Sequence, residues 1–161
     1  MDIVNLKLLK KIAMNKINKE KSNKLLRVAD RALQSSKILD KEKNSIKDSY
    51  NGSVAAFCVS IATSGLRPTL TIYYHKEDRR EVLKIITDML LDDEISFGFK
   101  DIKDADDNPI CVNNDKPKNL LKYAFYCDDD EMKRLQREIT DCGIALKQVI
   151  RTYKLTKNEN A

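Results

Sequence analysis

The stretch that decides the fold is SGLRPTLTIYYHK, residues 64–76. Its middle, Thr69–Tyr74, is β-branched and aromatic, so local propensity alone would allow a strand. Its borders argue the other way. Ser64-Gly65 reads as a helix stop, because glycine accepts the left-handed conformation at a C-terminal cap. Pro68 suits the first turn of a new helix, where its missing N–H is not needed. Helical patterns flank the stretch on both sides. Tyr50, Val54, Phe57, Cys58 and Ile61 recur at three- and four-residue steps before it, and Val82, Ile85, Ile86, Met89 and Leu90 do so after it. We therefore read residues 66–74 as helix and the chain as all-α.

Outward from this centre, the spacing predicts one helix over 44–63 and another over 76–91. Gly52 lies inside the first and costs up to ~1 kcal/mol relative to alanine, which predicts a close packing contact there. Upstream, Ile3, Leu6, Leu9, Ala13 and Ile17 mark a basic amphipathic helix. The polar run Asn18–Asn23 reads as its break or bend. A second helix then starts at Ser22 or Asn23, both good N-caps, and buries Leu25, Val28, Ala29, Ala32 and Leu33. The polar run Asp40–Ser45 bends or ends it. Downstream, residues 92–115 fit two short strands or an irregular acidic loop equally well. Asp115 and Pro117 mark the next helix start. Asp128, with Glu131 three residues on, resembles a capping box. It opens a terminal helix through Met132, Leu135, Ile139, Cys142, Leu146, Val149 and Tyr153. The expectation is a compact bundle of about six helices in one domain over 1–155, with an insert at 92–115 and a disordered tail at 156–161.

Composition supports helices and narrows the functions. Glycine (4) and proline (3) are scarce, tryptophan is absent, and charged residues reach 34%. The net charge of +5 is unevenly spread. Residues 1–47 hold 13 Lys and Arg against 5 Asp and Glu, while residues 92–131 hold 5 against 12. Residues 132–161 are again basic, with 7 against 3. Two basic ends flank an acidic middle, a distribution that suits a polyanion partner. Cys58, Cys111, Cys127 and Cys142 show no C-x-x-C spacing, so zinc and thioredoxin-like chemistry find no support. The N-terminus lacks the apolar core of a signal peptide, and no run approaches 18 apolar residues. The expected setting is a reducing cytoplasm, away from membranes.

Catalysis needs groups that this pattern does not supply. His75 is the one histidine and has no paired nucleophile or orienting carboxylate nearby in sequence. The acidic run Asp104-Ala105-Asp106-Asp107-Asn108 fails as a calcium loop, because Pro109 takes the sixth position, where an EF-hand needs glycine. No phosphate-cradling glycine loop is present. We assign no catalytic residue, no metal site and no cofactor. The candidate site is nucleic-acid-binding instead. Lys24, Arg27 and Arg31 form one helical stripe, Lys147, Arg151 and Lys154 a second, and Lys43 and Lys47 an i, i+4 pair. Such stripes suit phosphate backbones, which repeat charge at regular intervals. Solvated helix faces are the bland alternative.

The stretch Tyr50-Asn51-Gly52-Ser53, its apolar helix to Ile61, Ser64-Gly65-Leu66, Leu70, Tyr73-Tyr74 and His75-Lys76 together resemble the small subunit of the type III-B CRISPR effector, the Cmr complex. The upstream helix with Ala29 and Ala32 and the terminal amphipathic helix also fit. The resemblance covers mainly residues 24–91 and 128–155. It implies a non-catalytic, all-helical subunit of an RNA-guided antiviral defence complex. Copies of such a subunit stack as a filament, beside other subunits, along the phosphate backbone of the guide–target RNA duplex. The acidic insert at 92–115 and the basic helix of residues 1–20 extend beyond the resemblance. Opposite charges at the two ends would suit head-to-tail stacking, with the acidic 92–131 region, Asp104, Asp106 and Asp107 included, on a basic end of a neighbour. Two other readings remain: a helical DNA-binding regulator and an adaptor that binds protein only.

Overall fold

A computed structural model describes residues 2–95, 98, 99, 102, 103, 107 and 115–157, with Ile17 described for its backbone only. Among these residues, six helices carry the fold: α1 (Ile3–Gln34), α2 (Asp48–Ser64), α3 (Leu66–His75), α4 (Glu77–Leu91), α5 (Lys116–Tyr126) and α6 (Asp129–Ile150). Three short strands, β1 (Leu39–Asp40), β2 (Ser45–Lys47) and β3 (Lys154–Thr156), make a small sheet in that order. The all-α reading holds, including the stretch that decided it. Gly65 takes φ +89, its N–H caps α2 on the Ile61 carbonyl, and α3 begins at the next residue.

The expected break in α1 does not occur. One helix of 32 residues runs through Asn18–Asn23. No glycine or proline lies between residues 2 and 51. Serine and asparagine cost a helix only fractions of ~1 kcal/mol each. Lys21, in the middle of the polar run, is also held by α6, reaching Glu138 and Asp141 at 3.1 Å each. Burial works to lower the Lys21 pKa, but the hydrogen bonds to these two carboxylates outweigh it and raise it.

Two helix bounds and one tail bound also shift. α2 starts at Asp48 rather than Asn44, and α6 ends at Ile150 rather than continuing through Tyr153. Before α2, residues 45–47 pair in the sheet instead; after α6, the N–H groups of Thr152 and Tyr153 close a turn on the Val149 and Ile150 carbonyls, and Lys154 then enters the sheet. β1 and β2 form a hairpin in which Leu39 faces Ile46, and β2 pairs in parallel with β3, Ile46 facing Leu155. The sheet takes in Thr156, the first residue of the expected tail. Residues 158–161, and most of the hairpin or loop expected over 92–115, lie outside the described residues.

α6 packs against α1, α2 and α4 and buries Leu135, Ile139, Cys142, Leu146, Val149 and Ile150. Gly143 permits the approach to α2: a Cβ there would sit 2.8 Å from the Cys58 Sγ. The close contact predicted at Gly52 is absent, since a Cβ at that position would meet nothing within 4 Å. Beneath the α2–α6 seam, Phe57 is fully buried and meets the Tyr73 ring edge-on at 4.9 Å. The Tyr73 hydroxyl donates to the Ser53 carbonyl at 2.7 Å, so its polar end is satisfied inside the bundle. Arg67, at the start of α3, donates to the carbonyls of Ala124 and Cys127 and so closes the C-terminal end of α5.

α1 and α6 run in the same direction. Lys21 of α1 meets Glu138 and Asp141, and further along α1 Asp30 meets Tyr153, just past the end of α6. The sheet closes the far end of this pair. Toward the near end, every described side chain of α1 from Ile3 to Glu20 is exposed. Its N-terminal half leaves Ile3, Val4, Leu8, Ile12 and Met14 more than half exposed, at 71%, 68%, 55%, 56% and 61%.

Gly143→Val should destabilise the fold by about 1–3 kcal/mol through overpacking against Cys58. Cys58→Ala in the same chain should recover part of that loss in denaturant unfolding. A second expectation concerns alkaline pH. Tyr123 is raised by burial, then by Glu131, from 10.0 to about 12. Tyr50, Tyr73, Tyr74 and Tyr153 are raised as well, Tyr153 first through its hydrogen bond to Asp30. The unfolded chain therefore loses its phenolic protons first. This contribution to stability is complete below pH 10 and falls as pH rises toward 12. Denaturant midpoints across that window, read with phenolate absorbance, should decline together.

Candidate nucleic-acid interface

The cations singled out in the sequence fall into two groups in space. The hairpin closes through residues 41–44, with Asn44 at φ +51. Asp40 Oδ1 accepts the backbone N–H groups of Glu42 and Lys43, both at 3.1 Å. This holds Lys43 in a turn, so Lys43 and Lys47 are not the helical pair their spacing suggested. Lys47 is the last residue of β2 and the N-cap of α2. Lys154 is not on α6 either. It opens β3 and pairs with Ser45.

The parallel register gives these corrections their meaning. Side chains alternate faces along a strand. Ile46 and Leu155 share the face toward the core. Ser45, Lys47, Lys154 and Thr156 share the other. Lys47 and Lys154 are both exposed and lie one diagonal step apart. Arg151, the exposed C-cap of α6, stands three residues before Lys154. The turn carrying Lys43 leads into the same strand. Four cations from opposite ends of the chain thus gather at the sheet end of the bundle. Lys147 sits one turn above Arg151 on α6, half-buried beside Cys58 of α2. Lys41 and Lys157 flank the same end and are exposed. No stripe in the sequence pointed to them, because their neighbourhood is created by strand pairing between distant segments.

The stripe on α1 behaves differently. Lys24, Arg27 and Arg31 are exposed along one helix, but acidic residues after α4 occupy two of them. Arg31 holds Asp92 through Nη2 at 3.0 and 3.2 Å and Nε at 3.4 Å, and approaches Glu94 at 3.5 Å. Arg27 approaches Glu94 at 3.7 Å. The hydrogen bond to Asp92 raises the Arg31 pKa further. Part of the acidic segment therefore serves the chain's own α1. Asp104 and Asp106 lie outside the described residues.

Nothing at these positions is arranged for bond chemistry. His75 is an exposed residue at the end of α3. Burial raises the thiol pKa at Cys58, Cys127 and Cys142, which disfavours the nucleophilic thiolate. Among the described residues, no group of His, Cys, Asp and Glu could hold a metal ion, and no helix is long and apolar enough to cross a membrane.

Residues 24–152 match the family described as CRISPR-associated protein (Cas_Cmr5). That span is most of the chain, and the chain belongs to this family. Its members are non-catalytic small subunits that assemble with other subunits of type III CRISPR effector complexes. No curated protein and no solved structure matches the chain. The match starts inside α1 and leaves its exposed N-terminal half outside.

The α1 ion pairs predict a gain of function on removal. Asp92→Asn with Glu94→Gln should release Arg27 and Arg31, and the protein should elute from heparin at higher salt than the parent. Unchanged elution would show that these guanidinium groups already reach a polyanion.

Proposed function

We propose that this Cas_Cmr5 family member binds the phosphate backbone of the guide–target RNA duplex in a cytoplasmic, type III-B antiviral effector. Copies of the subunit stack as a filament along that duplex, with residues 1–155 acting as one helical domain. The observation that supports this most is the shared sheet face of Lys47 and Lys154, with Arg151 and Lys43 beside it. Point charges on flexible stems suit phosphates, which carry no sequence information. An RNA-guided assembly obtains its sequence specificity from base pairing and needs this kind of contact from its protein. Lys24, Arg27, Arg31 and Lys147 are secondary contacts, because two of them are ion-paired and Lys147 is half-buried.

A DNA-binding regulator is a poorer fit. The helix after the Gly65 turn would have to present its side chains to base edges. Instead α3 buries Leu66, Thr69, Leu70 and Tyr73 in the core.

Anisotropy titrations against an RNA duplex at several salt concentrations test the reading. Lys47→Ala, Arg151→Ala and Lys154→Ala together should lower the salt slope by up to ~0.9 per lost phosphate contact on a B-DNA-like scale. Lys24→Ala, Arg27→Ala and Arg31→Ala together should lower it less. An unchanged slope in the first variant would leave a protein-only adaptor as the better description.

A further inference from the structure

We infer that the exposed half of α1 is an arm that docks on the α5–α6 corner of a second copy, joining copies side by side in an open row. This rests on the stacking reading above and names the contact that would carry it. The arm, Ile3–Glu20, extends roughly 27 Å at 1.5 Å per residue. It carries Lys7, Lys10, Lys11, Lys16 and Lys19, with no acidic residue from Ile3 to Lys19. It also exposes seven large aliphatic side chains, Ile3 and Val4 at 71% and 68% among them. A solvated helix does not gain from so much exposed apolar surface; at 3.6 residues per turn Ile3, Val4 and Met14 share one face with Lys7, Lys10 and Lys11, and exposed apolar surface of this kind marks protein contacts.

The complementary surface is on the same molecule. The first turn of α6 and its cap hold Asp128, Asp129, Asp130 and Glu131, all exposed. Next to them, at the end of α5, Phe125 is 46% and Tyr126 88% exposed. Lys133 and Arg134 are exposed one turn on, but the four carboxylates of the cap and first turn stand together beside exposed aromatic rings, and these match an arm of lysines among aliphatic side chains, in charge and in apolar character. A nucleic acid would satisfy the lysines and leave the aliphatic residues in water, so a protein surface is the better occupant.

Geometry sets the form of the row. Because α1 and α6 run in the same direction, arm and corner lie at the same end of the bundle. A reciprocal pair would bring two lysine arms side by side and point the two sheet ends apart. A heterologous contact, arm of one copy on the corner of the next, avoids both and need not close. Every copy then points the same way. Lys43, Lys47, Arg151 and Lys154 of successive copies line the opposite edge of the row, as a track for one phosphate backbone.

Sedimentation of the full chain without RNA tests this contact separately from RNA binding. Mass should rise with concentration past two copies at low salt. Lys7→Glu with Lys10→Glu and Lys11→Glu should weaken association at least about tenfold, as should Asp129→Lys with Asp130→Lys and Glu131→Lys. Mixing the two reversed chains should restore association. Tyr126→Ser, at a fully solvated position, should weaken it without lowering the unfolding temperature. A single-copy mass at every concentration, a limit at two copies, or indifference to both reversals would overturn the inference. Association through the arm in a chain that fails the RNA titration would overturn the backbone-binding reading and leave this one standing.

Discussion

The close approach of α2 and α6 organises the rest of the bundle. α6 has an apolar stripe it cannot bury alone, and at Gly143 it sits directly on α2. The Cys58 sulfur occupies the space that a side chain at residue 143 would fill. Once that seam is shut, Phe57 is enclosed and Tyr73 turns its ring edge onto it while its hydroxyl reaches Ser53. α3 is thereby held against α2, and Arg67 at its start ties in the end of α5. The order of α6 also brings the chain's last strand back beside β2.

That return converts scattered charge into a surface. Lys47 follows a hairpin and Arg151 and Lys154 follow α6, so more than a hundred residues of chain separate them. The parallel pairing of Ser45–Lys47 with Lys154–Thr156 erases the distance. The same tertiary logic subtracts charge elsewhere. Arg27 and Arg31 look like free cations on a helix wheel, yet the turn after α4 sets Asp92 and Glu94 against them. A helix face is a fair guide to exposure and a poor guide to net field, because it omits whatever other segments bring to it.

The N-terminal half of α1 shows the opposite situation. It has helix formers, no glycine or proline, and enough apolar residues for a core, yet its described side chains are all exposed. It also lies outside the family's matched residues, which begin at 24. The helix persists there through continuity with an anchored lower half rather than by burial of its own. Lys21, below it, is the residue whose side chain ties α1 to α6, through Glu138 and Asp141.

Local chemistry by itself determined the helical class, the stop at Gly65, the restart near Pro68, the cap at Asp128 and the apolar stripes of α4 and α6. Each of these is written within a few residues, in backbone conformational preference and in period. The uninterrupted α1, the small sheet and the gathering of cations at one end were decided by tertiary structure. Asn18–Asn23 had the composition of a break but no residue that forbids a helix, and an anchor on α6 settled it. Ser45–Lys47 and Lys154–Thr156 are too short to declare themselves as strands. Their pairing with each other joins segments more than a hundred residues apart, and only folding brings them within reach.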